Sequence, residues 1–259
     1  MLTAGIDLAS QEAKTALCEI EWARGRAKVC ELRVGVSDAD IVDCARRVRK
    51  LGLDVPLGWP SAFVDALVQH GGGGTWPVGY RHEMNQDYRL RATDRFVHAK
   101  IGGNPPLSVS TDRIAIPAMR AAAALSALPE PVARDGSGVV VEVYPAAALR
   151  RWDLDSRAYK GKDHQGRRHD LAVALFAASP WLDLDDEKRR LCCEHDDAFD
   201  AVVAALIARA VVVRQVETIP LKSREVATRE GWIALPRTGS LDRLVSGIGT
   251  SRSASPPLA

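Results

Sequence analysis

Acidic side chains stand in otherwise apolar stretches at several points of this 259-residue chain. Three lie in short apolar runs that predict buried strands, and two stand three residues apart in an Ala-rich stretch that predicts a helix. They are Asp7 in 2–9, Asp54 in 53–60, Glu142 in 139–145, and Asp197 and Asp200 in 194–213. A lone carboxylate in such a run is costly to bury unless it is hydrogen-bonded or paired with a cation.

If these carboxylates converge, they form a site for hard cations. Two unit charges about 5 Å apart repel by roughly 3 kcal/mol at an effective dielectric of about 20, so a cluster raises pKa values or recruits a cation. Carboxylate oxygens favour Mg²⁺ or Mn²⁺, and two such ions about 4 Å apart are the usual apparatus for phosphodiester cleavage. The simpler alternative is that backbone amides satisfy Asp7 at a strand end and that the helix dipole favours Asp197 in a first turn.

The first part of the chain predicts three strands and a helix. Residues 14–22 and 26–36 alternate apolar with polar side chains, and their three-residue connector suits a hairpin. Ser37, with Asp40 three residues later, predicts the N-cap of the following helix. The stretch 70–112 is basic and irregular, and long ordered loops of this kind tend to be functional.

The later elements complete an α/β pattern. Helices are predicted over 116–128, 169–178 and 194–213, and the run 139–145 is apolar enough for a central strand. The order of elements predicts a mixed five-stranded sheet with its first three strands antiparallel, its first strand central and helices on both faces. This is an RNase H-like arrangement, in which the strands that carry the acidic residues are neighbours. We expect one domain over 1–236 and a loose tail over 237–259, which is rich in Ser, Gly and Pro.

Composition and net charge indicate which partners and which cellular location to expect. The net charge is only +2, so any basic surface that binds nucleic acid must be local. Five cysteines without a Cys-x-x-Cys spacing indicate reduced thiols and a cytoplasmic location. No apolar run approaches the roughly 18 residues of a membrane span, so we expect no membrane partner.

Seven short motifs, in order, resemble the domain-of-unknown-function family numbered 429, whose members are regarded as predicted RNase H-like nucleases. The motifs begin at Gly5, Asp54, Thr93, Glu142, Tyr159, Asp197 and Glu230. The resemblance spans about residues 3–236. The Asp-x-x-Asp-Ala helix start is also similar to that of Holliday-junction resolvases of the RuvC type, which often pair as dimers.

The resemblance implies roles for individual residues. By analogy with the resolvases, Asp7, Glu142, Asp197 and Asp200 would be the metal ligands and catalytic carboxylates. Asp54 is the alternative to Glu142 as the ligand from a later strand. Thr93 and Arg95 would contact a backbone phosphate, unless Thr93, Asp94 and Arg95 only cap a helix. Tyr159 and Lys160 resemble a substrate-side pair, unless they are a packed Tyr beside a solvated Lys.

These observations favour a nuclease that uses Mg²⁺ or Mn²⁺ to hydrolyse DNA or RNA, with a homodimer as a possible assembly. A second hypothesis is an RNase H-like domain without catalysis that binds nucleic acid or a protein. A third is an actin-like phosphotransferase, whose first strand also carries an Asp. In that class Gly and then Ser or Thr follow the Asp, whereas Leu8 and Ala9 follow Asp7 here.

Overall fold

A central sheet organises the fold. A computed structural model describes residues 1–76 and 82–246. Its strands are β1 (Leu2–Asp7), β2 (Ala16–Ala23), β3 (Arg26–Val34), β4 (Lys50–Asp54), β5 (Val140–Glu142) and β6 (Leu182–Asp183). They form one mixed sheet in the order β5-β4-β1-β2-β3-β6. The β1, β2 and β3 strands are antiparallel, and β4 and β5 continue the sheet parallel to β1.

Ten α-helices surround the sheet within the described part of the chain. They are α1 (Asp38–Arg47), α2 (Ser61–Gly71), α3 (His82–Arg89), α4 (Ala92–Ile101), α5 (Ala115–Leu125), α6 (Pro145–Arg151), α7 (Gln165–Ala178), α8 (Asp186–Glu194), α9 (Asp196–Val212) and α10 (Arg224–Glu230). Single 3₁₀ turns lie at Glu12–Lys14, Lys162–His164, Leu221–Ser223 and Leu241–Leu244. None of the described helices is both long enough and apolar enough to cross a bilayer.

The strands bury side chains on both faces of the sheet. On one face, α6, α7 and α9 pack on alternate residues of β2 and β3 and on Val141 and Val143. On the other face, α1 and α5 cover Ile6, Leu53 and their neighbours. The predicted mixed sheet, with its antiparallel first three strands and helices on both faces, is therefore confirmed. The predicted count of five strands misses only the two-residue β6.

Two glycines let α9 approach the sheet closely. A Cβ atom on Gly5 would lie 2.1 Å from the backbone nitrogen of Ala205, and one on Gly52 would lie 2.6 Å from the carbonyl oxygen of Ala204. The alanines of α9 supply the matching small surface. This close approach sets the height of the helix above β1 and β4, and so fixes where the acidic residues in its first turns lie.

Two predicted loose regions are more ordered than expected. The stretch 70–112 contains α3 and α4, which form because buried side chains such as Val97 anchor them; residues 77–81 lie outside the described part. At the C-terminus, residues 237–246 are packed rather than loose, since Leu241 and Leu244 are buried in the core. The rest of the predicted tail, 247–259, is also outside the described residues.

Candidate functional site

The ends of two parallel strands bring the first two acidic residues together. Strand register pairs Asp7, the last residue of β1, directly with Asp54, the last residue of β4. Side chains of directly paired residues point to the same face, so both carboxyls lie on the face that α9 covers. Thr3 confirms this orientation, because its hydroxyl donates to the carbonyl oxygen of Ala205 in α9 at 3.2 Å.

The start of α9 supplies the remaining carboxyls. Asp200 is fully buried in the second turn of the helix. One carboxyl oxygen from each of Asp7, Asp54 and Asp200 lies within 4.8 Å of the other two. We call these three residues the carboxylate cluster. Asp197, one turn earlier, is near enough to Asp7 for its charge to raise the Asp7 pKa, and so lies at the edge of the cluster.

A lysine and a tyrosine hold Asp200 in place. The Lys160 ammonium lies 2.5 Å from Oδ2 of Asp200 and 3.8 Å from Oδ2 of Asp54. The buried Tyr159 hydroxyl donates to Oδ1 of Asp200 at 2.6 Å. Tyr159 is therefore a buried residue at the edge of the cleft whose hydroxyl is used by Asp200, while the half-exposed Lys160 faces the cluster from outside.

The environment raises the pKa of every carboxyl in the site. Burial is the main cause: it raises the pKa of Asp54 to about 7, with the charges of Asp200 and Glu142 adding to the effect and Lys160 opposing it. Burial also raises the pKa values of Asp7 and Asp200, again against the attraction of Lys160. For Asp197, burial and the charge of Asp196 raise the pKa.

The pKa of Lys160 is raised as well, but for a different reason. Desolvation alone would lower the pKa of its ammonium, but the charges of Asp200 and Asp54 more than offset this and hold the pKa well above its ordinary value. A protonated lysine thus faces carboxyls that retain protons readily. Such mutual perturbation is typical of functional sites.

Glu142 does not join the carboxylate cluster, which corrects the prediction that it is a metal ligand. Register pairs Glu142 with Leu53, one residue before Asp54, so the pleat of the sheet directs it to the opposite face. There both of its oxygens are occupied by Arg91, at 2.6 and 2.8 Å, and Oε2 also accepts from the Leu57 amide at 3.0 Å. Asp54 takes the place in the cluster that was predicted for Glu142.

Arg91 is the residue that sequence reasoning missed. Its buried guanidinium donates to both oxygens of Asp94, to both oxygens of Glu142 and to the carbonyl of Glu230. These acidic neighbours, Glu142 first among them, hold the pKa of Arg91 above its ordinary range despite burial. In the sequence, Arg91 lies among other basic residues, and nothing distinguishes it from an arginine exposed to solvent. The one signal was the Asp three residues later, where the first turn of a helix was expected.

The predicted phosphate contacts have other partners in the structure. Thr93 is buried, and its hydroxyl accepts a hydrogen bond from the Ile233 amide at 2.8 Å. The Arg95 guanidinium donates to the carbonyl oxygen of Leu90 at 2.8 Å and pairs with Asp87 at 3.2 Å. Both residues therefore fasten α3 and α4 to their surroundings. Of the three residues in the capping alternative, only Asp94 takes part in the cap, by accepting from the Arg91 amide at 2.9 Å.

A cleft of about 480 Å³ opens at this end of the sheet. The carboxylate residues Asp7 and Asp54 line it, together with Tyr144, Lys160 and His164. Another part of its wall is apolar and comes from the segment 106–117, which also carries Arg113. The cleft thus combines acidic, basic and apolar surfaces in a volume typical of small-ligand sites.

Comparison with known families gives one assignment. The family described as "Protein of unknown function (DUF429)" matches residues 5–225 of this chain. Because the match covers most of the sequence, the chain belongs to this family. No curated protein and no solved structure matches it.

Proposed function

We propose that this member of the DUF429 family is a metal-dependent hydrolase that cleaves phosphodiester bonds in nucleic acid. The observation that carries the proposal is the convergence of Asp7, Asp54 and Asp200 to within 4.8 Å, with Asp7 and Asp54 lining a cleft. Three carboxyls so close together, one buried and two partly buried, are unfavourable without a cation to balance them.

The residues fit a hard divalent cation. All three side chains offer oxygen, which suits Mg²⁺ or Mn²⁺. Oδ2 of Asp200 is buried, and its partner among the described residues is the Lys160 ammonium at 2.5 Å. A divalent cation that displaced the ammonium would gain that oxygen as a ligand. Asp7, Asp54 and Asp200 would hold a first ion, and Asp197 is placed to help hold a second.

The chain's own groups would orient the reaction. A bound divalent cation supplies Lewis-acid activation of water and of the scissile phosphate. Tyr159 fixes the direction of Asp200 by its hydrogen bond to Oδ1, which leaves Oδ2 turned into the site. Lys160, half-exposed at the cleft, would give up its contact with Asp200 and offer its ammonium to the phosphate.

One observation favours a second candidate function, a nucleic-acid- or protein-binding module without catalysis. The Lys160 ammonium already balances part of the negative charge at 2.5 Å from Asp200. In a protein that has lost its catalytic activity, the ammonium of a lysine in this position could replace the charge of the metal ion. The two candidates differ in a single property, which is whether the carboxylate cluster exchanges the ammonium for a divalent cation.

Other features support the proposed RNase H-like fold and cytoplasmic location. A mixed sheet with three antiparallel strands and a long helix across its first strand supports an RNase H-like fold. The five cysteines carry no disulfide, which fits a reducing compartment such as the cytoplasm. The possible homodimer stays a prediction.

The test is cleavage with matched variants. Purified protein should cut single strands, duplexes or branched junctions in Mn²⁺ and not in EDTA. Asp7→Asn keeps the shape of the side chain and removes one ligand charge, so cleavage should fall by at least about a hundredfold with folding intact. Asp170→Asn, an exposed acid on α7, is the control and should cut like the parent. A protein that is inert on all three substrates in Mn²⁺, or cleavage that survives Asp7→Asn, would favour the binding module.

A further inference from the structure

The apolar wall of the cleft is not used by the chemistry described above. It comes from Pro106, Leu107, Ile114 and Pro117, all in the segment that joins α4 to α5 and begins α5. Leu107 leaves 44% of its surface exposed, so this side of the cleft offers apolar surface to a ligand. An exposed apolar surface inside a cleft is typical of a ligand contact.

The wall is held rigidly in place. The Ser108 amide donates to the Asp112 carboxylate at 2.7 Å, and Ser108 and Val109 are completely buried. Further along, Arg120 fastens α5 by donating to the carbonyl oxygen of Ala9 at 2.9 Å. A fixed apolar surface needs no reorganisation to receive a flat apolar group.

The same segment carries a cation without a partner. Arg113 lines the cleft, is exposed, and makes no hydrogen bond or ion pair with any residue in the described part of the chain. In contrast, Arg91 of the same cleft is fully engaged by Asp94 and Glu142. Arg113 is therefore free to contact an anion that enters beside the apolar wall.

We propose that this wall receives the unpaired base of one nucleotide while Arg113 contacts its phosphate, so that the substrate is single-stranded or locally unpaired nucleic acid. The inference rests on the proposed function and specifies its substrate class. A base stacked in a duplex is covered on both faces, so only an unstacked base can lie against the wall. A cleft of about 480 Å³ accommodates a nucleotide but not a stacked pair of strands.

Binding of three labelled probes tests the proposal. The probes are a short oligothymidylate, an abasic strand of the same length and a blunt-ended duplex without unpaired nucleotides. Fluorescence anisotropy in Ca²⁺ measures their affinities, because Ca²⁺ balances the carboxylates but should support cleavage poorly. The oligothymidylate should bind at least about tenfold more tightly than the abasic strand, since base contacts contribute much of single-strand affinity.

Two variants separate the base contact from the phosphate contact. Leu107→Ser should weaken oligothymidylate binding about five- to tenfold and leave the abasic strand unchanged. Leu221→Ser is the control, because Leu221 is 79% exposed and lies outside the cleft. Arg113→Gln should weaken both strands equally and flatten the dependence of log K on log salt by about one.

The outcomes distinguish the base site from the hydrolase. Equal binding of the oligothymidylate and the abasic strand, duplex binding as tight as either, or no effect of Leu107→Ser would overturn the base site even if the protein cleaves nucleic acid. If instead the probes and variants behave as expected but nothing is cut in Mn²⁺, the base site stands and the proposed hydrolysis fails.

Discussion

At the scale of single residues, Lys160 determines the charge balance of the carboxylate cluster. One half-exposed ammonium faces three buried or partly buried carboxyls, at 2.5 Å from Asp200 and 3.8 Å from Asp54. Burial raises the pKa of each carboxyl, and that of Asp54 to about 7, so Asp54 retains part of its proton near neutral pH. The proposed binding of a divalent cation would therefore release a proton and move the ammonium.

The raised pKa of Asp54 makes the stability of the fold depend on pH. Burial raises its folded-state pKa from 3.8 to about 7. Between those values the folded state binds more protons than the unfolded state, so stability falls as pH rises through this range and stays lower above it. Asp54→Asn removes the titration. In EDTA the variant should gain more stability at about pH 8 than at about pH 5, by on the order of 2 kcal/mol, or several degrees in Tm.

Thermal unfolding of the parent and the variant at the two pH values measures the difference. Asp170→Asn serves again as the control, since its carboxyl is 86% exposed and should give the same change at both pH values. A gain from Asp54→Asn that is equal at the two pH values, or larger at the acidic one, would show that burial does not raise the pKa of Asp54 as described.

At the scale of elements, the contact between α9 and the sheet places Asp200 over the strand ends. Gly5→Ala would put a Cβ atom 2.1 Å from the Ala205 nitrogen, so the helix must shift outward. We expect a loss of at least about 2 kcal/mol in the free energy of unfolding, measured by denaturant titration. Gly166→Ala is the matched control. Gly166 lies in α7, and a Cβ atom added to it would have no neighbouring atom within 4 Å. That variant should therefore be as stable as the parent or slightly more stable. Equal stabilities of the two variants would contradict this packing.

Much of this architecture could be predicted because it is encoded locally. The alternating residues of β2 and β3 indicated a hairpin, and Ser37 indicated a cap that the structure confirms, with Asp40 accepting from its amide at 2.9 Å. The Ala-rich sequence of α9 indicated a closely packed helix. These signals depend on neighbours a few residues apart, which a sequence displays directly.

The choice between Asp54 and Glu142 could not be predicted, because it depends on how β4 and β5 align. Leu53 pairs with Glu142, and a shift of that register by one residue would move the glutamate to the other face of the sheet. Arg91 posed the same difficulty, since its partners Glu142 and Glu230 lie far away in the sequence. Long-range register and buried ion pairs appear only in the folded chain.

At the scale of the whole molecule, segments distant in sequence meet at one end of the sheet. The Arg91 pairs with Asp94 and Glu142 fasten α4 to β5, and Glu230 adds a contact by accepting from the Ala92 amide at 2.8 Å. Breaking a buried pair of this kind is strongly destabilising. This network therefore supports one side of the cleft, while Asp7, Asp54 and Asp200 take no part in it and are the ligands of the proposed metal site. The proposed function depends on the claim that the acidic residues are divided in this way.

A crystal of the protein soaked in Mn²⁺ tests this claim most directly, because anomalous scattering locates the ion without reference to activity. We predict an anomalous peak within bonding distance of carboxyl oxygens from Asp7, Asp54 and Asp200, with the Lys160 ammonium moved away from Asp200 and with Glu142 still paired to Arg91. Absence of a peak at the carboxylate cluster, with Lys160 unmoved, or a peak on Glu142 instead, would contradict the account.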